Sequence, residues 1–270
     1  FYKKQGITRI VLAREVSLKR IKELTKKVEI ECFVHGALCI GVSGRCFMSH
    51  HQYGKSANRG ECLHACRRSY KITDIETGEE MKLQNNYVMS PKDLCTIEIV
   101  DKLIEAGISA FKIEGRNRSP EYVKTTVECY KTAVDAYFEK EFSLKLAKEL
   151  KNKLKTVYNR GFTKGYYLNV PSLTDSYGSK ATQKKEFVGT IKNFYKKISV
   201  AEVKINTGEL KTGDKILVIG TTTGVFETVI GSMQINHKEV KVAGKGQPVA
   251  IMLKKEVRAG DNVYLLRKND

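Results

Sequence analysis

The chain has 270 residues and 41% hydrophobic content, enough apolar side chain for one large or two medium cores and too much for a disordered chain. Lys and Arg number 48 against 30 Asp and Glu, a formal net charge of +18 that attracts polyanions. Lysine-rich helix faces such as KLAKELKNKLK reach the same excess by solvating the surface, so charge alone leaves nucleic acid an open partner. No apolar run is long enough to span a bilayer and no signal peptide is seen, which with an odd count of 7 cysteines argues against a secreted disulfide scaffold.

In chain order, Phe1 opens without an initiator methionine or a capping signal. GITRIVLAREVS reads as a strand with Ile7, Ile10, Val11 and Leu12 as its buried apolar core. SLKRIKELTKKV reads as a helix capped by Ser17, with Leu18, Ile21 and Leu24 at helical spacing. VEIECFVHG is an apolar strand stopped by Gly36. After a cysteine-bearing stretch, NNYVMSPKDL reads as a short strand and turn, and TIEIVDKLIEAG as a helix ended by Gly107. ISAFKIEG is a further strand. SPEYVKTTVECYKTAVDAYFEK is a long amphipathic helix with Ser119 as N-cap and Pro120 in its first turn.

Alternating strands and helices imply parallel strands joined by right-handed crossovers. Three such units cannot close a barrel, which needs eight strands. Residues 1–149 are therefore expected to be the second half of a (β/α) TIM-like barrel whose N-terminal part is missing. Residues 150–183, with YNRGFTKGYY and PSLTDSYGSK, read as a polar, glycine-rich joint. From 184 to 270 short alternating strands are separated by Gly, Asn and Asp turns, as in LKTGDKILVIG and AGDNVYLLRK. This second, C-terminal domain is expected to be a small Greek-key β-barrel, similar to the second domain of translation elongation factors. The fold class is thus α/β followed by all-β.

Five cysteines fall between residues 39 and 95: Cys39, Cys46, Cys62, Cys66 and Cys95. They lie in loops marked by glycine and arginine, GALCIGVSGRC, NRGECLHACRRSY and MSPKDLC, and thiols on separate loops need a reason to converge. The spacings C-x6-C and C-x3-C are not zinc-ribbon knuckles, so an iron–sulfur cluster in a reducing cytoplasm is favoured over zinc, disulfides or unconnected core thiols. Cys32 and Cys129 sit in apolar periodic runs and read as small buried hydrophobes. Arg45 and Arg67 either balance a negative thiolate cluster or, with Arg59, Arg68, Arg116 and Arg118, grip carboxylates or phosphates. Glu114 and Arg116 fall at the C-terminal end of a strand, where barrel active sites lie; the plainer alternative is a structural ion pair. Tyr53 and Tyr70 either stack on a base or pack within their loops.

ECFVHGALCIGVSGRCFMS closely resembles the signature of the U32 peptidase family, the collagenase-like proteases. NRGECLHACRRSY, MSPKDLC and FKIEGRNRSPEYV match its further blocks in order, and the resemblance covers nearly the whole chain. The protease label finds little support in the residues: there is no G-x-S-x-G elbow and no H-E-x-x-H helix. A Cys–His pair of Cys39 with His35 is the nearest candidate, with His50 and His51 as lesser ones.

The resemblance implies a different chemistry. Relatives in this family are O2-independent hydroxylases with a cysteine-bound 4Fe–4S cluster, and prephenate is implicated as oxygen source in their RNA hydroxylation. This sequence is most similar to the branch that forms 5-hydroxyuridine at the tRNA wobble position, because it keeps Cys62-x3-Cys66 and the β-rich tail. The same resemblance implies Cys39, Cys46 and Cys62 as ligands, with Cys66 as the fourth and Cys95 as its alternative. Glu114 and Arg116 are then the candidate catalytic residues. Arg45, Arg67 and Arg116 are the candidate anchors for prephenate, a small dicarboxylate. The expected partner is tRNA, the expected location the cytoplasm, with no membrane. The alternatives are a U32-type peptidase and an RNA-binding protein with a structural metal site.

Overall fold

The computed structural model describes residues 1–42, 45–80, 89–174 and 178–269. The chain divides into two compact units, one of residues 1–117 and 125–180, the other of residues 118–124 and 181–270.

The first unit follows the order Arg9–Val11 (β1), Leu18–Leu24 (α1), Glu29–Gly36 (β2), Met48–Tyr53 (α2), Asp93–Cys95 (β3), Val100–Glu105 (α3), Ala110–Ile113 (β4), Pro120–Phe138 (α4), Leu144–Leu154 (α5) and Phe162–Thr163 (β5). β2 organises the sheet. Its alternation buries Ile30, Cys32 and Val34 on one face, against Ile21, Leu103, Cys129 and Tyr130. Ser17 caps α1 by accepting the N–H of Arg20, and Ser143 caps α5 by accepting that of Leu146 at 3.2 Å. Cys32 and Cys129 are core residues, 1% and 0% exposed, as their apolar settings require. In β1 the expectation of four buried residues fails. Ile10 and Leu12 pack against the core, while Ile7 and Val11 are 41% and 45% exposed, because successive strand residues point to opposite faces.

β1 and β4 run parallel to β2, as the strand–helix rhythm predicts. β3 does not: it pairs antiparallel with the tip of β2, His35 with Cys95 and Gly36 with Leu94, and parallel with β5. The chain leaves β2 at its C-terminal end, makes the cysteine-bearing excursion, and returns to that same end. Among the described residues no helix crossover carries it back to the start of the sheet, and it enters in the opposite direction. The result is an open, mixed five-stranded sheet. The half-barrel expectation is not borne out, since β3 breaks the all-parallel pattern that a (β/α) barrel needs. The strand expected from NNYV lies outside the described residues. The segment expected to be only a joint contributes β5 to this sheet, and Tyr167 from it donates to the Phe33 carbonyl.

The second unit contains Gln183–Tyr195 (β6), Val200–Ile205 (β7), Glu209–Lys211 (β8), Lys215–Gly220 (β9), Gly224–Val229 (β10), Met233–Ile235 (β11), Lys238–Glu239 (β12), Val242–Gly244 (β13), Pro248–Met252 (β14) and Asn262–Lys268 (β15). Eight strands pair in the order β10-β9-β15-β6-β7-β14-β11-β12, and β8 pairs with β13. Ala201, Val203 and Ile205 of β7 alternate inward onto Ile191, Val249 and Val263. The expected barrel is not closed: among the described residues, end strands β10 and β12 do not pair with each other. No helix among the described residues is long and apolar enough to cross a membrane.

Candidate functional site

The C-terminal ends of β1, β2 and β4 lead into the segments that carry Arg14, Cys39, and Glu114 with Arg116. Ligands of parallel strands bind at this end, because the loops there are free to vary over a fixed sheet. Gly36 allows the close approach of β2 to β4. Its φ is +115°, and a Cβ there would fall 2.6 Å from the Glu114 carbonyl oxygen. Across this contact the Glu114 N–H donates to the His35 carbonyl at 2.9 Å. The Glu114 carboxylate accepts the N–H of Arg116 at 3.0 Å and that of Ala37 at 3.4 Å, which fixes it between the two loops. Arg116 is exposed and reaches over the turn at Gly60.

Cys39 follows directly, half-buried, its sulfur accepting the Gly41 N–H at 3.3 Å. Gly41 is required here because a Cβ would lie 2.8 Å from the Arg45 carbonyl oxygen in the turn that leads to Cys46. The Cys46 N–H donates to Asn58 Oδ1 at 3.3 Å, joining this turn to the loop that bears Cys62. Cys62 is exposed. Its sulfur accepts the N–H of His64, whose left-handed φ of 54° turns that group back toward it. Cys66 is buried on a single 3-10 turn, Ala65–Arg67, so Cys62 and Cys66 do not share one helical turn.

Electrostatics link four of these thiols. Burial pushes the Cys66 thiol up, Arg67 opposes this, and Cys39, Cys62 and Cys46 push it further up. Cys39, Cys46 and Cys62 therefore lie within electrostatic reach of Cys66. Cys95 lies within the sheet, 3% exposed, with Tyr130 Oη 3.9 Å from its sulfur. Burial raises its thiol to about 11, eased by the Ile97 N–H and Tyr130, and none of the four other thiols is among the groups that act most on it. Among the described residues, no three His, Cys, Asp or Glu groups stand close enough to hold a single metal ion. A cluster spreads its thiolates farther apart than one ion does. All-thiol donors, backbone N–H groups directed at sulfur and a neighbouring guanidinium fit such a group.

The arginines divide by what they already hold. Arg67 is buried and donates to Ser90 Oγ at 3.1 Å, to the Pro91 carbonyl at 2.8 Å and to the Leu38 carbonyl. Those three bonds tie Arg67 to the protein and position the Cys39 loop. Behind it Asp93 pairs with Arg160 and also accepts the Arg160 N–H at 3.0 Å. Arg45 is exposed on the turn before Cys46. Arg14 was missed in the sequence, although a charge placed directly after an apolar strand is the available signal. His35, the proposed partner of Cys39, packs in the core, with Nδ1 3.4 Å from Tyr130 Oη and its ring beside Phe162. His50 and His51 are exposed on α2. Tyr53 accepts from Arg68, and Tyr70 donates to the Ala65 carbonyl at 2.7 Å, so both are tied into their loops.

The family model described as peptidase family U32 matches residues 1–176. The chain belongs to peptidase family U32. This U32 chain is 40% identical over 276 residues to a "Collagenase" of Porphyromonas gingivalis, spanning 97% of the chain and 67% of that protein. It is 35% identical to "tRNA hydroxylation protein P1" of Bacillus subtilis, over 82% of the chain and 54% of that protein. A 23S rRNA 5-hydroxycytidine synthase of Escherichia coli is 30% identical over 98% of the chain and 37% of its own length.

Proposed function

We propose that this U32 chain carries the thiol-bearing site of an O2-independent RNA hydroxylase, one that forms 5-hydroxyuridine at the tRNA wobble position. Cys39, Cys46, Cys62 and Cys66 hold a 4Fe–4S cluster in this reading, and prephenate is the co-substrate. The observation that carries it is that Cys39, Cys46 and Cys62, from two other loops, lie close enough to Cys66 to act on its charge. Relatives that hydroxylate tRNA and rRNA support the reaction class, and the formal charge of +18 suits an RNA substrate.

A bound cluster supplies one-electron chemistry that no side chain here provides. The chain's own residues do the rest. Arg67 orients the Leu38–Cys39 segment, and the N–H groups of Gly41 and His64 donate to the sulfurs of Cys39 and Cys62. Glu114, fixed by two backbone N–H groups, presents a carboxylate of set direction at the end of β4. Arg116 stands beside it, over the loop that leads to Cys62.

Deleting the gene should remove 5-hydroxyuridine from bulk tRNA, as read by nucleoside mass spectrometry. The wild-type gene should restore it and Cys62→Ala should not. Unchanged 5-hydroxyuridine in the deletion strain would count decisively against the proposal. The collagenase-named relative favours a second reading, a peptidase using Cys39, and that reading predicts peptide cleavage by iron-free protein.

A further inference from the structure

We propose that Arg14 is the anchor for a carboxylate of the small acid used at this site. The inference rests on the hydroxylase reading only for the identity of that acid.

Arg14 lies three residues beyond β1, at the sheet end that carries Cys39 and Glu114. Its guanidinium sits over Phe33 with Cζ 3.7 Å from the ring centroid, a cation–π contact that covers one side of the group and restrains it. It is half-buried, yet among the described residues no hydrogen bond or ion pair engages its fork of N–H donors. An arginine restrained over an aromatic ring, with its fork of donors unfilled, is prepared for two-point recognition of a planar anion.

Its surroundings select among anions. Burial lowers its pKa, while Glu114 and then Cys39, Glu15 and Tyr167 raise it, so these groups share its neighbourhood. Glu114 turns its oxygens to the N–H groups of Ala37 and Arg116. Two acids nearby tolerate a monoanionic carboxylate better than a doubly charged phosphate. The sequence-based candidates fit less well. Arg67 is bonded to Ser90, Pro91 and Leu38, and Arg45 and Arg116 are exposed.

The test is calorimetric titration of prephenate, citrate and inorganic phosphate into the anaerobically prepared full-length protein, with Arg14→Lys and Arg14→Gln. Arg14→Lys should weaken carboxylate binding roughly 10- to 100-fold, since lysine keeps the charge and loses the planar fork. Iron content, melting temperature and tRNA affinity should stay unchanged. Unchanged prephenate affinity in Arg14→Lys, loss of tRNA affinity instead, or a wild-type protein that binds no carboxylate would each overturn the assignment. If the wild-type protein binds citrate through Arg14 and not prephenate, the anchor stands and the prephenate reading falls. Should both Arg14 variants fail to fold, Phe33→Leu decides. Removal of the aromatic ring should weaken the same acid several-fold, and an unchanged affinity rejects the proposal.

Discussion

Cys66→Ala is expected to strip iron from the anaerobically purified protein, whereas Cys95→Ala leaves the iron content at the wild-type level. A 4Fe–4S cluster takes four thiolates, and five cysteines stand in the signature blocks, so one is surplus. The structure separates them by neighbourhood. Cys66 feels the charge of Cys39, Cys62 and Cys46, so their ligation would replace mutual repulsion with bonds to a positive group. Cys95 is enclosed between β2 and Tyr130, its thiol raised to about 11 by burial, and it behaves as a small core residue. Losing it should cost only about 1 kcal/mol of stability. Iron analysis and the visible spectrum of the two variants, side by side, are sufficient. The reverse pattern, with iron lost from Cys95→Ala and kept in Cys66→Ala, would move the ligand assignment to the core.

Asp93→Ala should lower the melting temperature by roughly 6–20 °C, corresponding to about 3–5 kcal/mol for breaking one side of a buried ion pair. The pair's side chains are only 4% and 11% exposed for Asp93 and Arg160. Asp93 also accepts the Arg160 N–H and, through its own N–H, bonds the Gly161 carbonyl at 2.9 Å, so it closes β3 onto β5. Removing the carboxylate leaves Arg160 buried beside Arg67, whose pKa Arg160 already lowers after burial itself. Two facing guanidiniums would then strain the residue that holds the Leu38–Cys39 segment. Thermal unfolding followed by circular dichroism checks this. A shift of no more than a degree or two would show that the pair contributes little and that the loops are held by other contacts.

Several elements were legible because a local rule decides them. Ser17 caps α1, Pro120 opens α4, β2 ends at Gly36, and Gly107 adopts a left-handed φ of +81° after α3. Cys32 and Cys129 were legible as core for the same reason: their positions in apolar periodic runs settle their burial. The direction of β3 was not legible, because MSPKDLC carries no sign of whether the chain has crossed the sheet or turned back at its end. Phe162 and Thr163 form a strand of only two residues inside a glycine-rich stretch, and their place depends on pairing with Asp93 and Leu94. Barrel closure in the second unit likewise depends on whether distant end strands meet, which alternation within each strand does not encode. At the site, motif spacing singled out the thiols and the flanking arginines. It did not distinguish Arg67, bound to three acceptors, from Arg14, held over Phe33 with its donors available. That distinction is one of tertiary contacts.

The central claim, a thiol-held cluster serving RNA hydroxylation, meets its most direct test in a reconstituted reaction. The full-length protein, its cluster assembled anaerobically, is mixed with prephenate and unmodified tRNA in the absence of O2, and the tRNA nucleosides are analysed by mass spectrometry. The account predicts 5-hydroxyuridine with the wild-type protein and none with Cys66→Ala or with iron-free protein. Iron-free protein that cleaves peptides, loses that activity in Cys39→Ala, and leaves tRNA unmodified when its cluster is restored would contradict it.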